Sequence, residues 1–295
     1  MATTFRPFRV NKMKRLTAFC IIFIILLCHL PGHAQALLWQ ISKPGHRTCY
    51  IMGTIHLTDN DIQHVNDTVW SCMRQCSLLA LELDLHQADN IMEHITMKKA
   101  TMDQLLTPEE YHVLDSIMRK KTRIGMSFFN RMQPLFFYSV VMMDKKYGIA
   151  MDLLLQHHAD SLGIATMGME SVKDQVKAFK SISLEQQAKG LAEMLHNLGK
   201  TGELDSLMLL YKRQDIKGLE QMIQNDPSST KALIEHRNQG FVKHIKKLSP
   251  SKSVFFAVGA GHLEGKQGIL NLLRKHRYTL QAISIYPSPE TEISH

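Results

Sequence analysis

Short apolar segments near the two ends of the chain constrain its fold more than any other feature of the sequence. Six segments of five to eight residues are rich in apolar side chains and often bounded by Gly or Pro, which is typical of buried strands. They are Leu37–Ile41, Thr48–Ile55, Leu78–Leu83, Ile164–Met169, Val254–Val258 and Thr279–Tyr286. The turn cluster Ser42-Lys-Pro-Gly-His46 joins the first two and predicts a hairpin. We therefore expect one sheet, assembled from both ends of the chain.

Long segments of helical period lie between these strands. At Thr107-Pro-Glu-Glu110 the Thr can cap a helix, the Pro suits its first position and Glu110 completes a capping box. Ser183-Leu-Glu-Gln186 has the same pattern. Further predicted helices are Met126–Lys145, Met151–Leu162, Leu204–Arg213, Ile216–Gln224 and Thr230–Lys247. The prediction is an α/β (α+β) fold, with a central mixed β-sheet and a large helical insertion over about 88–250.

The first 36 residues have the layout of a secretory signal peptide. The basic stretch Arg6–Arg15 precedes the apolar run Leu16–Cys28, and a small-residue, A-x-A-like site follows at Ala34-Gln-Ala36. The run of 13 residues is shorter than the ~20 that span a bilayer as a helix, and no later segment is long enough to do so. We expect a signal peptide over 1–36 and an exported domain over 37–295, in the periplasm or outside the cell. An uncleaved N-terminal anchor is the alternative.

The charge of the chain argues against a nucleic-acid partner. The formal net charge is +8, but five of the 35 basic residues lie in the first 35 positions, which contain no acid. The remainder carries 30 basic against 27 acidic residues, so it lacks the surplus of positive charge that binds polyanions.

Beyond the predicted signal peptide there are three cysteines, which allow at most one internal disulfide. Cys72 and Cys76, four residues apart on a predicted helix, are expected to be buried apolar side chains.

One short pattern occurs twice, near opposite ends of the expected domain. Ile51-Met-Gly-Thr-Ile-His-Leu57 and Ala257-Val-Gly-Ala-Gly-His-Leu263 each combine an apolar strand with Gly-x-x-His-Leu. Both histidines, His56 and His262, should therefore emerge past the carboxyl end of a strand, where open α/β sheets bind ligands. The preceding glycines would let the backbone turn or approach a ligand closely, and they are Gly53, Gly259 and Gly261.

Two glutamates follow other predicted strands toward the same edge. Glu82 lies in Leu81-Glu-Leu-Asp84, and Glu170 ends Met167-Gly-Met-Glu170. A carboxylate within such an apolar run, as at Glu82, is costly to bury unless it is paired or binds a metal. Asp84 is a weaker candidate for a site residue, because it lies nearer the strand exit. Two His and a Glu with an open position form a catalytic zinc set, and oxygen-rich versions suit manganese or cobalt. Chance occurrence of the motifs among 16 histidines is the alternative.

The sequence resembles the TraB/GumN family, which includes the Tiki proteases and the bacterial pheromone-shutdown proteins. The resemblance covers roughly residues 37–286. The matching segments are Leu38-Trp39, Ser42-Lys-Pro-Gly45, Met52-Gly-Thr-Ile-His-Leu57, Leu81-Glu-Leu-Asp-Leu85, Gly148-Ile-Ala-Met-Asp152, Gly168-Met-Glu170, Arg237-Asn238 and Phe256-Ala-Val-Gly-Ala-Gly-His-Leu-Glu-Gly265.

The resemblance implies metal-dependent proteolysis, with His56, His262 and Glu82 binding manganese or cobalt, and zinc as the alternative ion. Broader relatives on a similar core include erythromycin-esterase-like hydrolases and a haem-binding lipoprotein. In this hypothesis Glu82 or Glu170 is the general base, and Arg237 stabilises an oxyanion or clamps a substrate carboxylate. We therefore expect an exported metal-dependent hydrolase, a peptidase acting on a peptide or small-molecule substrate. The alternative is a non-catalytic ligand-, peptide- or haem-binding protein on the same fold.

Overall fold

The computed structural model describes residues 35–56, 59, 62, 65–84, 91–142, 148–179, 182–197, 202–223 and 234–285. The predicted signal peptide therefore lies outside the described residues, except for its last two positions. Ala36 is buried, and its carbonyl accepts a hydrogen bond from the indole Nε1 of Trp39 at 2.8 Å. Ala36, one residue before the predicted boundary at Leu37, is therefore already part of the packed domain.

Six strands form one mixed sheet in the order β4-β3-β5-β2-β1-β6. Their bounds are β1 Leu38–Ser42, β2 Cys49–Thr54, β3 Leu78–Leu81, β4 Ala165–Gly168, β5 Val254–Gly259 and β6 Thr279–Ile283. All six predicted strands are present. The predicted hairpin is confirmed, because β1 pairs antiparallel with β2, and the C-terminal strands β5 and β6 lie directly beside β2 and β1.

Thirteen α-helices occur among the described residues. They are α1 Asp67–Arg74, α2 Ile91–Ile95, α3 Met102–Leu105, α4 Pro108–Thr122, α5 Met126–Phe129, α6 Pro134–Met142, α7 Met151–Ser161, α8 Val172–Phe179, α9 Leu184–Asn197, α10 Glu203–Lys212, α11 Ile216–Ile223, α12 His236–Leu248 and α13 Ile269–Lys275. The capping box at the start of α4 is confirmed: Thr107 Oγ1 accepts from the Glu110 N–H, and Glu110 Oε2 accepts from the Thr107 N–H. The mixed α/β content predicted from the sequence is thus observed.

The prediction of one helix over Met126–Lys145 was wrong. Pro134 begins a second helix, because its ring lacks an N–H and would collide with the carbonyl of Asn130 inside a continuous helix. That carbonyl instead accepts from the Met102 N–H at 2.8 Å. The break therefore ties α3 to the segment between α5 and α6. A smaller difference is that Cys76 lies just past the end of α1. The predicted helix Thr230–Lys247 is present as α12, His236–Leu248, and its first four predicted positions lie outside the described residues.

Two hydrophobic clusters hold the described chain together. The larger surrounds the sheet, where Phe255 and Phe256 of β5 are fully buried. The smaller is formed by helices α3 to α6 together with α9, and includes Leu114, Phe137 and Leu191. Part of the helical region therefore has a core of its own. Within the described residues, no helix is long and apolar enough to cross a membrane.

Strands β4, β3, β5 and β2 run parallel, so their carboxyl ends meet at one edge of the sheet. After β5 the chain forms a 3₁₀ turn, Ala260–His262, which packs over Gly53 of β2. A Cβ at Gly53 would approach Leu263 Cδ1 to 2.8 Å and Ala260 Cα to 3.0 Å. Gly53 therefore provides the space that lets the turn bearing His262 lie against the sheet.

Gly53→Ala should lower the free energy of unfolding by about 1–3 kcal/mol, because the new methyl overpacks a rigid contact. Gly240→Ala is the matched control, since Gly240 is helical and a Cβ there has nothing within 4 Å. That variant should be unchanged or up to ~1 kcal/mol more stable. Urea unfolding of both variants tests the contact, and equal stabilities would contradict it.

Candidate functional site

Functional side chains from separate parts of the sequence meet at the carboxyl edge of the parallel strands. Glu82 directly follows β3, and Glu170 follows β4 by two residues. Hydrogen bonds from the Met169 and Glu170 N–H groups to the Leu81 and Glu82 carbonyls keep these two strand exits side by side. His262 arrives on the 3₁₀ turn after β5, and Arg237 arrives in the first turn of α12.

The ring of His262 is held in one tautomer by Asn238. Nδ2 of Asn238 donates to the carbonyl of Gln267 at 2.8 Å, so Oδ1 faces His262. That oxygen lies 2.6 Å from His262 Nδ1 and can only accept, so Nδ1 carries the ring proton. The lone pair of Nε2 therefore points toward Arg237 Nη1, at 3.3 Å, and Glu82 Oε1, at 3.6 Å.

Glu82 is a buried carboxylate with both oxygens partnered. Oε1 accepts from the Gly259 N–H at 2.7 Å, which gives this motif glycine a backbone role in the site. Oε2 accepts from Nη2 of Arg237 and, at 3.4 Å, from Nε2 of Gln175. The expected cost of burying Glu82 is thus offset by a cation and a backbone donor.

Arg237 joins the two glutamates. Its Nε donates to Glu170 Oε1 and Oε2 at 3.1 and 2.9 Å, while Nη2 lies 2.9 Å from Glu170 Oε2 and also contacts Glu82. The side chains of Arg237, Glu82 and Glu170 are 11–12% exposed, so solvent screens these ion pairs weakly. We call Glu82, Glu170, Arg237 and His262 the charge cluster.

The structure places His56 in a different environment from His262. Its side chain is 78% exposed, and its Nδ1 lies 3.6 Å from Oδ2 of Asp152 in α7. Gly53 packs under the 3₁₀ turn, and Gly261 is a half-buried member of that turn. Of the sequence-predicted residues, Glu82, Glu170 and His262 all contact Arg237, and His56 pairs with Asp152 instead.

Burial and neighbouring charges set the protonation states of the charge cluster. Burial alone would raise the pKa of Glu82, but His262, Arg237 and the Gly259 N–H outweigh it and lower the pKa to about 2. Burial is the main cause that lowers the pKa of His262 to about 4, so this ring is neutral at pH 7. Arg237 and Gly259 therefore hold the Glu82 anion at neutral pH. Burial raises the pKa of Glu170 despite its bonds to Arg237.

Among the described residues, no three His, Cys, Asp or Glu side chains are grouped closely enough to hold a metal ion. The donor chemistry nevertheless fits a divalent ion. His262 presents an imidazole lone pair whose other nitrogen is held by Asn238, as is usual for histidine ligands. Asp152 Oδ2 is buried and has no hydrogen-bond partner in the described part of the chain. Arg237, already bound to the carboxylates, is the competing cation.

Asn238 and Asp152 are two polar residues to which sequence reasoning gave no role. Both lie in segments that carry the family resemblance, directly after Arg237 and at the end of Gly148-Ile-Ala-Met-Asp152. That position was the signal that could have identified them. Their partners, His262 and His56, are far away in sequence, so pattern alone did not reveal the pairing.

A cleft of about 440 Å³ opens beside the charge cluster. Glu170 lines it, together with Asp84, His94, Ser171 and Lys173. Its lining is polar and carries both signs of charge. Glu170 is the member of the charge cluster that lines this cleft.

Comparison with known proteins gives one family assignment. The model of the TraB/PrgY/gumN family matches residues 37–282. Neither the curated proteins nor the solved structures contain a match to this chain.

The low pKa of His262 predicts acid-sensitive stability. The unfolded ring takes up a proton near pH 6.5 and the folded ring only near pH 4, so protonation favours the unfolded chain between these values. The free energy of unfolding should therefore be unaffected by His262 above pH 6.5 and should decrease as pH falls toward 4. The loss should reach roughly 3 kcal/mol for the metal-free protein. The raised pKa values of Glu170 and Asp152 have the opposite effect on the free energy of unfolding, because the folded chain takes up these protons at higher pH than the unfolded chain does.

Urea unfolding between pH 7 and 4, compared with His262→Gln, isolates the His262 contribution. The variant should show a clearly shallower loss of stability on acidification. His196→Gln is the control, because His196 is an exposed ring beside Glu110 and its loss should leave the slope unchanged. Identical slopes in wild type and His262→Gln would contradict the buried neutral ring.

Proposed function

Since the chain belongs to the TraB/PrgY/gumN family, we propose that it is a hydrolase whose reaction takes place at the charge cluster. The observation that carries this proposal is the neutral His262 ring, which directs a fixed Nε2 lone pair at the buried Glu82–Arg237 pair. Burying such groups is costly, and strongly perturbed groups that meet beside a cleft are characteristic of catalytic sites. We further propose that the substrate is a peptide, because the cleft offers charges of both signs and hydrogen-bonding groups.

The three charged residues of the cluster each have a proposed role in hydrolysis. Glu170 lines the cleft and, with its raised pKa, is suited to take a proton from the attacking water. The Arg237 guanidinium would stabilise the negative charge that develops on the carbonyl oxygen. Glu82 would keep Arg237 and the turn after β5 in position through its bonds to Nη2 and the Gly259 N–H.

We also propose that the reaction depends on a divalent metal, manganese or cobalt in preference to zinc. His56, His262 and Glu82 would hold it, and the Asp152 carboxylate, whose Oδ2 lies 3.6 Å from His56 Nδ1, adds negative charge nearby. When bound, such an ion would lower the pKa of water and polarise the scissile carbonyl. The N-terminal layout supports export, so we place the reaction in the periplasm or outside the cell.

Metal analysis of the purified protein beside a His56→Ala/His262→Ala double variant tests this function. We expect about one equivalent of manganese, cobalt or zinc in the wild type, consistent with one site. The variant should lose the metal while keeping its circular dichroism spectrum. Peptide-library cleavage with the same metals should give activity in the wild type only. A folded wild type that binds no metal after reconstitution and cleaves no peptide would overturn the proposal in favour of a ligand-binding protein.

Removing Arg237 should strengthen metal binding and abolish cleavage. The guanidinium neutralises Glu82 and Glu170, so Arg237→Gln leaves two unpaired carboxylates available to a cation. We expect manganese affinity to rise roughly ten-fold, equivalent to ~1.4 kcal/mol, as measured by calorimetry. Arg119→Gln is the matched control, because Arg119 pairs with Asp115 on α4 and its loss should not change the affinity. Weaker metal binding in Arg237→Gln would contradict the competition.

A further inference from the structure

Asp152 is held rigidly at the exit of β2. The Met151 N–H donates to the Ile55 carbonyl at 3.1 Å, which ties the start of α7 to the end of this strand. The hydroxyl of Thr54, the last residue of β2, donates to Asp152 Oδ1 at 3.0 Å. One oxygen of the carboxylate is therefore used to position the group.

The other oxygen, Oδ2, is buried and has no hydrogen-bond partner among the described residues. An unpaired buried acceptor costs about 1–3 kcal/mol, so a nearby donor has a clear energetic advantage. His56 Nδ1 lies 3.6 Å from this oxygen, slightly beyond hydrogen-bonding distance. Because the His56 side chain is 78% exposed, a small ring movement into contact meets little steric resistance.

We propose that Asp152 is the positioning residue for His56: its Oδ2 accepts the Nδ1–H of the ring, so that the Nε2 lone pair is presented to the site. The arrangement parallels that of His262, whose Nδ1–H is accepted by Asn238 Oδ1. Both motif histidines then expose the same nitrogen, although one acceptor is a carboxylate and the other an amide. The use of these lone pairs in catalysis rests on the proposed function, whereas the hydrogen bond itself does not.

The arrangement explains why the first motif needs a partner outside it. His56 lies two residues past β2 with an exposed side chain, whereas His262 is buried in the turn after β5 and packs against α12. An exposed ring is free to adopt either tautomer unless a fixed acceptor selects one. Asp152 supplies that acceptor, since Thr54 and the start of α7 hold it in place.

The test is the tautomer of His56 in the full-length, histidine-labelled protein after treatment with a chelator. Long-range proton–nitrogen NMR at a pH where the ring is neutral distinguishes Nδ1–H from Nε2–H, and loss of the signal in His56→Gln assigns it. We expect Nδ1–H in the wild type. In Asp152→Ala the ratio of Nδ1–H to Nε2–H should fall by about ten-fold, as a charge-assisted hydrogen bond is lost.

Two further variants keep the inference open to disproof if Asp152→Ala folds poorly. Thr54→Val removes the hydroxyl that positions Oδ1 and should lower the same ratio by a smaller factor. Asp84→Asn is the matched control, a buried carboxylate whose Oδ1 accepts from Gln156, and it should leave the His56 tautomer unchanged. Nε2–H in the wild type, or one ratio in all variants, would overturn the inference.

This measurement separates the inference from the proposed function. It requires neither metal nor turnover, so a tautomer that depends on Asp152 would stand even if no hydrolysis were found. Conversely, if the protein is an active hydrolase but its His56 tautomer ratio does not change in Asp152→Ala, the proposed function stands and the positioning role of Asp152 is wrong.

Discussion

The buried contact between Arg237 and the two glutamates is the interaction on which the site depends. Glu82 and Glu170 leave adjacent strands, β3 and β4, and two carboxylates so close together would repel one another without a cation. Arg237 satisfies both and thereby anchors α12 to the sheet edge. The same helix carries Asn238, which fixes the ring of His262, so one docking event positions both the cation and the imidazole.

The sheet topology explains how residues from both ends of the chain come together. Strands β2 and β5 are parallel neighbours, although they lie near opposite ends of the described chain, and each leads into a Gly-x-x-His motif. Their glycines serve different purposes. Gly53 leaves room for the 3₁₀ turn above it, and Gly259 donates its N–H to Glu82. The repeated pattern thus gives one close packing contact and one electrostatic contact.

The two motif histidines are chemically unequal in spite of their matching sequences. His262 is enclosed by α12 and the charge cluster, and burial keeps it neutral. His56 is exposed beside Asp152. This asymmetry leaves one side of the site enclosed and the other exposed to solvent, and Glu170 lines a cleft of about 440 Å³. A hydrolase needs both properties, because preorganised charges stabilise a transition state and substrate must still enter.

Local chemistry encoded much of the fold. Short apolar segments, often bounded by Gly or Pro, were sufficient to predict all six strands, and Thr107 with Glu110 determined where α4 begins. Long-range contacts could not be predicted from local sequence. The helical period over Met126–Lys145 gave no sign of the break before Pro134, where the Asn130 carbonyl accepts from the Met102 N–H. Of the site, the sequence alone determined Glu82, Glu170, His56 and His262 as strand-end groups. Only the tertiary structure decided that Arg237 bridges the glutamates, that Asn238 orients one histidine and that Asp152 faces the other. These partners lie on helices whose orientation to the sheet depends on packing, which no local pattern contains.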